Sequence, residues 1–311
     1  MPGVRLPVRA GRFTVIALGA AILSSLLLAG AAVLNLSAVI LLIAVLTTGV
    51  TWLATFTLLG IYVFAAPSAP GATNNWASYR LMLSAFVFAT IVSNVIVVGY
   101  LALAGRLATL TSGQAQAALS PDVLVVAVVS LQCCLGSFLY VRLVRPGILT
   151  WTEMGFTGRG LGRQIGLGLL LGLGVIVLLA AASALLRLLG IQQNQAEMYA
   201  GIRGAHPLWF AAFFIASAGI APLIEEAYFR GYVFRACLSA KGPRQAYAVS
   251  ATLFALAHVN LPAFVPFVVF GLAMAYVVQR TRTIGPAVVG HAVNNGMVVL
   301  VLYFVSVAPP I

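Results

Sequence analysis

Long apolar runs separated by short polar connections make up nearly the whole chain. The first four cover Phe13 to about Leu34, Ala38 to about Ala66, Arg80 to about Ala104, and the stretch from Asp122 to about Leu143. A fifth runs from Ile165 to Leu189, and four more cover about 207–238, 246–259, 264–279 and 286–307. Runs of this length and polarity read as helices that cross a bilayer. The pattern predicts an all-α fold: a polytopic integral membrane helical bundle of about eight to nine transmembrane helices. The first run is longer than a signal-peptide core and a second follows almost at once, so it reads as a retained helix.

The polar intervals set the organisation. The longest, Arg145 to Arg163, separates N-terminal transmembrane helices of unassigned role (1–144) from a C-terminal core (165–311), with 145–164 as a cytoplasmic connecting loop. Shorter connections lie at Pro67–Ser78, Gln114–Asp122 and Gln192–Arg203. In the fifth run Gly168 and Gly172 are spaced i and i+4, which lets two helices approach closely. The sixth run is too long for one perpendicular helix. About 32 residues would span about 48 Å, against a hydrocarbon core of about 30 Å. Pro222 predicts a kink there. The two short runs around His258 either cross separately or pair as a re-entrant hairpin.

Composition agrees with the pattern. Hydrophobic residues make up 62% of the chain and charged residues 7%, where a soluble domain carries about 25% charged residues. The net charge of +12 does not point to nucleic acid, because the basic residues are scattered singly between apolar runs and form no stripe. They act as topology signals. With a cytoplasmic N-terminus in the cell membrane, nine alternating spans place 13 basic residues inside, from Arg5, Arg9 and Arg12 to Arg280 and Arg282. Only Arg106, Arg187 and Arg203 fall outside, as the positive-inside rule requires. Cys133, Cys134 and Cys237 lie in apolar runs and read as small buried thiols.

Chemistry enters with the rarest residues. Only 5 acidic residues occur in 311, and two of them, Glu225 and Glu226, are adjacent in the sixth run. An acid at membrane depth is unfavourable by about 2.5–3.5 kcal/mol, so it marks a functional site by default. Glu226 and Arg230 are i and i+4 in the favoured order for a helical ion pair. Glu225 points about 100° away round the helix and gains no such partner, which makes it the candidate general base. The bland alternative is that both acids only bridge helices. Phe254 and His258 are again i and i+4, with the ring covering the imidazole. His291 and Asn295 share one face of the last helix, with Asn294 a weaker rival at i+3. His206, beside Pro207 in a loop, reads as ordinary.

Glu-Glu-x-x-x-Arg, Phe-x-x-x-His and His-x-x-x-Asn, in that order within about 70 residues of membrane helix, resemble the CPBP family of intramembrane proteases, which includes the type II CAAX prenyl endopeptidases. Phe270-Gly271, Thr281 and Pro286 fit the same pattern, while Ala275 stands where members often have a second glycine. The resemblance covers roughly residues 165–311. It implies an intramembrane endopeptidase in which Glu225, helped by His258, activates a water. His291 and Asn295 would then donate to the oxyanion, and Glu226, Arg230 and Phe254 would support the site. No cofactor is favoured; zinc held by Glu225, His258 and His291 is the alternative. The absence of His-Glu-x-x-His and the cation already supplied by Arg230 weigh against it.

Two other classes compete. A non-catalytic membrane scaffold would use the same helices to bind or protect a partner. A proton-coupled transporter would use buried Glu and His as a relay, but should show broken helices in both halves, and here the acids of the apolar runs are confined to one. The implied partners are the lipid bilayer and a membrane-associated protein or peptide substrate, possessing a lipid or not.

Overall fold

The structure is a computed structural model, and it describes residues 10–33, 38–64, 77–106, 120–191, 199–258 and 260–304. Arg5 and Arg9, most of the connections expected at 67–78, 114–122 and 192–203, and the C-terminal tail lie outside the described residues. Among those described, every long element is helical. Nine helices follow one another: α1 (Ala10–Val33), α2 (Ala38–Phe64), α3 (Tyr79–Leu103), α4 (Pro121–Val144), α5 (Leu161–Leu188), α6 (Pro207–Lys241), α7 (Pro243–Ala257), α8 (Phe264–Thr281) and α9 (Gly285–Phe304). Seven of them contain a stretch long and apolar enough to cross a membrane. The chain is therefore an integral, multi-pass membrane protein.

Two compact units divide the chain, Met1–Phe88 and Ala89–Ile311. In the first, α1 and α2 pair through hydroxyls, as apolar helices in lipid do when hydrophobicity itself gives no drive to associate. Ser24 Oγ and Thr51 Oγ1 are 2.8 Å apart, and Trp52 Nε1 donates to Ser25 Oγ at 2.9 Å. Phe56 stacks on Phe88 with ring centres 4.9 Å apart.

The second unit holds the chemistry. Its α5 and α9 meet at the expected glycines. A Cβ added at Gly172 would stand 2.7 Å from Val293 Cβ, and one at Gly168 would overlap Val289. The expected break in the sixth run takes the form of two wide turns rather than one sharp kink. π-helical turns at Ile215–Ile220 and Ala227–Phe234 bracket a short α-helical stretch, Ala221–Glu226, that carries Pro222 and both acids. α7 has 15 residues, about 22 Å at the α-helical rise, and is too short to cross alone. It forms a hairpin with α8 whose open end lies beside the end of α6, where Arg235 Nη2 donates to Arg282 O at 3.1 Å.

The 145–164 connection is more than a tether. Thr150 and Glu153 cap its turn reciprocally: Thr150 N–H donates to Glu153 Oε2 at 2.7 Å, and Glu153 N–H to Thr150 Oγ1 at 3.1 Å. Met154 is fully buried against Gly231. Gly155 O accepts from Ile284 N and from Thr283 Oγ1. Gly155 has φ of +96°, a conformation that suits glycine, and a Cβ there would also collide with Arg235. The loop is thus docked on the α8–α9 turn. The basic segments around Arg159, Arg235 and Arg282 share that end of the unit, in keeping with the single side assigned to them by charge.

Candidate active site

The two acids leave α6 in different directions and meet different partners. Glu226 is fully buried, and its Oε1 accepts from Arg230 Nη1 at 2.9 Å, the ion pair that the i, i+4 spacing predicts. The same oxygen lies 2.9 Å from His291 Nδ1. Arg230 is held further by Gly271 O at 3.2 Å and by the face of Phe254, 4.6 Å from its guanidinium carbon. That carbonyl can be reached because Gly271 lets α8 close on Ala251 of α7, where a Cβ would come within 2.8 Å of backbone.

Glu225 is partly exposed, with 15% of its side chain accessible. Among the described residues no Lys or Arg forms an ion pair with it. It is not without a partner, however. Gln132 Nε2, from α4, donates to its Oε1 at 2.9 Å. Its other oxygen, Oε2, faces His291 Nε2 at 3.8 Å. His291 therefore stands between the two glutamates, one ring nitrogen turned to each. Phe270 packs edge-on against it with ring centres 4.9 Å apart, and Phe254 does so at 5.7 Å.

His258 ends α7. Its Nδ1 lies 2.8 Å from Phe254 O, and since a carbonyl only accepts, Nδ1 carries the hydrogen and Nε2 is left free. The expected ring contact is present, with Phe254 at 4.6 Å, and Phe267 of α8 stacks on the imidazole at 4.2 Å. His258 is within electrostatic reach of Glu225 and His291. Among the described residues its hydrogen bond goes to Phe254 alone.

Asn295 departs from the simple picture of an open donor. Its Nδ2 donates to Ser217 O at 2.9 Å, and Asn294 Nδ2 donates to its Oδ1 at 3.3 Å. The reason lies in α6. At the first wide turn Ala221 N–H reaches back to Ala216 O, so the donor next due, for Ser217 O, belongs to position 222. Proline has no N–H to give, and Asn295 fills the vacancy. The second wide turn is served similarly by Ser250 Oγ, which donates to Phe229 O at 2.9 Å.

Glu225, Glu226, Arg230, Phe254, His258, His291 and Asn295 thus share one neighbourhood built by α6, α7, α8 and α9. Gln132, Ser217 and Ser250 were not read from the sequence. Ser217 and Ser250 are common hydroxyl residues in apolar runs, and nothing in the spacing marks them. Gln132 carried a faint signal, as a lone amide in the middle of a membrane run. Among the described residues, no three His, Cys, Asp or Glu side chains are grouped to hold a metal ion.

Residues 207–297, from the start of α6 to the middle of α9, match the family model described as type II CAAX prenyl endopeptidase Rce1-like. The segment that carries the acids, both membrane histidines and Asn295 is thus similar to Rce1-like domains, which supports the expected resemblance to the CPBP family, a protease family. No curated protein and no solved structure matches the chain.

Proposed function

We propose that the protein is an intramembrane endopeptidase that hydrolyses a peptide bond in a membrane-associated, lipidated protein of CAAX-like type. The observation that carries this reading is the 3.8 Å separation of Glu225 Oε2 from His291 Nε2. It is too long for a direct hydrogen bond, yet a water roughly 2.8 Å from both atoms closes it. There Glu225 takes a proton from the water as its oxygen attacks the peptide carbonyl, with His258 assisting through its free nitrogen. The tetrahedral intermediate then breaks its C–N bond, and the proton held by Glu225 passes to the leaving amine.

The oxyanion needs donors. An Asn amide has two N–H hydrogens, and Ser217 O takes one from Asn295, so the second serves the oxyanion from a nitrogen already held in place. His291, whose Nδ1 is held by Glu226 at 2.9 Å, supplies the other donor through Nε2. Donors fixed in this way contribute about 2.7–4 kcal/mol each in a dry site. Glu226 and Arg230 keep the α6 framework electrically balanced. The proposed mechanism uses no metal.

A panel of quenched C-terminal peptides, farnesylated and unlipidated, tests the reading on full-length protein in lipid nanodiscs. Cleavage of the farnesylated members, lost in E225Q and indifferent to chelator, is the expected result. Equal turnover by E225Q rules out the glutamate mechanism. Loss of activity on chelation, with zinc recovered from the purified protein, transfers the reaction to a metal. We further propose a cytoplasmic N-terminus in the cell membrane, which accessibility of an N-terminal tag in intact and permeabilised cells checks.

A further inference from the structure

α4 lies outside the family-matched segment, yet it supplies the one side chain that hydrogen-bonds Glu225 among the described residues. Gln132 is 2% exposed. Its Nε2 donates to Glu225 Oε1 at 2.9 Å, while its Oε1 is buried and has no hydrogen-bond partner among the described residues. A buried amide kept for packing or helix bridging satisfies both of its ends. Here one end goes unsatisfied while the other is spent on the acid, which points to the N–H as the reason for the residue.

The neighbourhood fixes that N–H in place. One turn further along α4, Gly136 faces Ile224 of α6, where an added Cβ would stand in ordinary contact, 3.5 Å from Ile224 Cδ1. Phe138 then packs against Tyr228 and Tyr232, with ring centres 6.0 and 5.6 Å away. α4 is thus registered against α6 on both sides of the acid. The chemistry of an amide suits the task. Lys or Arg would turn Glu225 into half of a salt bridge and weaken it as a base, and an apolar residue would leave its carboxylate free to rotate. A neutral donor on Oε1 holds the carboxylate plane and leaves Oε2 facing His291 Nε2.

We propose that Gln132 is a positioning residue for Glu225, setting the orientation in which the second carboxylate oxygen meets the water. This rests on the protease reading above. The test compares wild type with Q132M, which keeps length and removes the donor, in nanodiscs with the farnesylated peptide. With orientation lost and binding kept, kcat falls roughly 10- to 100-fold while KM stays within about twofold. The carboxylate stretch of Glu225, isolated in the infrared as the difference between each protein and its E225Q counterpart, moves in Q132M because the hydrogen bond is gone. Thermal melting verifies the fold. If Q132M does not fold, Q132N, which withdraws the amide by one methylene, takes its place.

Unchanged kcat, an unmoved band, or a loss confined to KM overturns the proposal and leaves the protease reading intact. A wild type that cleaves no peptide instead sinks the protease reading. The infrared band needs no substrate, so it still decides whether Gln132 holds Glu225.

Discussion

Between α5 and α9 the helices meet through Gly168 and Gly172, where Val289 and Val293 occupy the space that side chains would need. Around α6 they meet through Glu226, Arg230, His291 and Gly271 O, a chain of polar contacts of 2.9–3.2 Å. Both seams hold membrane helices together, but they tolerate change differently. The glycine seam works by shape, and any residue that fits would serve. The polar seam works by mutual satisfaction, so removing one member leaves the others charged and buried. Shape supplies the frame, and the polar seam places Glu225 and His291 within 3.8 Å of each other.

The sharpest break in that contrast is E225Q, which keeps every packing contact and removes only the proposed base. Cleavage should drop about 10²- to 10⁴-fold with no loss of melting temperature, as read by peptide assay and thermal melting on the same preparation. Next comes R230M, which strips the buried cation from Glu226 and leaves an uncompensated charge. Destabilisation of about 3–5 kcal/mol is expected, measured by unfolding in mixed detergent. In the glycine seam, G172L forces Val293 aside and should be unfavourable by about 1–3 kcal/mol, measured in the same way, with residual folded protein still able to cleave. Equal losses for R230M and G172L would erase the distinction between the two seams.

The mildest effect lies in the docked loop, away from both seams. Thr150, through its N–H and then its hydroxyl, holds Glu153 below the usual glutamate range. A group with a lowered folded pKa adds stability above its unfolded value, and that stability is lost as pH falls. The turn at 150–155 should therefore loosen as pH drops below the ordinary glutamate value of about 4.3. Hydrogen exchange of those residues, corrected for intrinsic rate, would show it, with the α5–α9 seam unchanged over the same range.

How much was legible follows the range of each contact. Glu226 with Arg230, Phe254 with His258, and Gly168 with Gly172 are all i and i+4 pairs, and one helical turn carries that information in the sequence. The bond from His291 to Glu226 links two patterns that had been read as separate, because spacing says nothing about how α9 is rotated against α6. Gln132 could not be assigned for the same reason: its partner lies on another helix, and the N-terminal helices had no role by which to judge it. The seven long apolar helices reflect run length directly. The wide turns of α6 do not, since excess length and a proline announce an irregularity without giving its form.

Pro222 reaches further than its own helix. By withholding one hydrogen it leaves Ser217 O for Asn295 to claim, so the rotation of α9 at that level is dictated by an imino acid on α6. An ordinary residue at 222 would restore the missing backbone donor and set the asparagine loose. Among relatives of this chain the two positions should therefore change together, the proline and the asparagine being kept or abandoned as a pair.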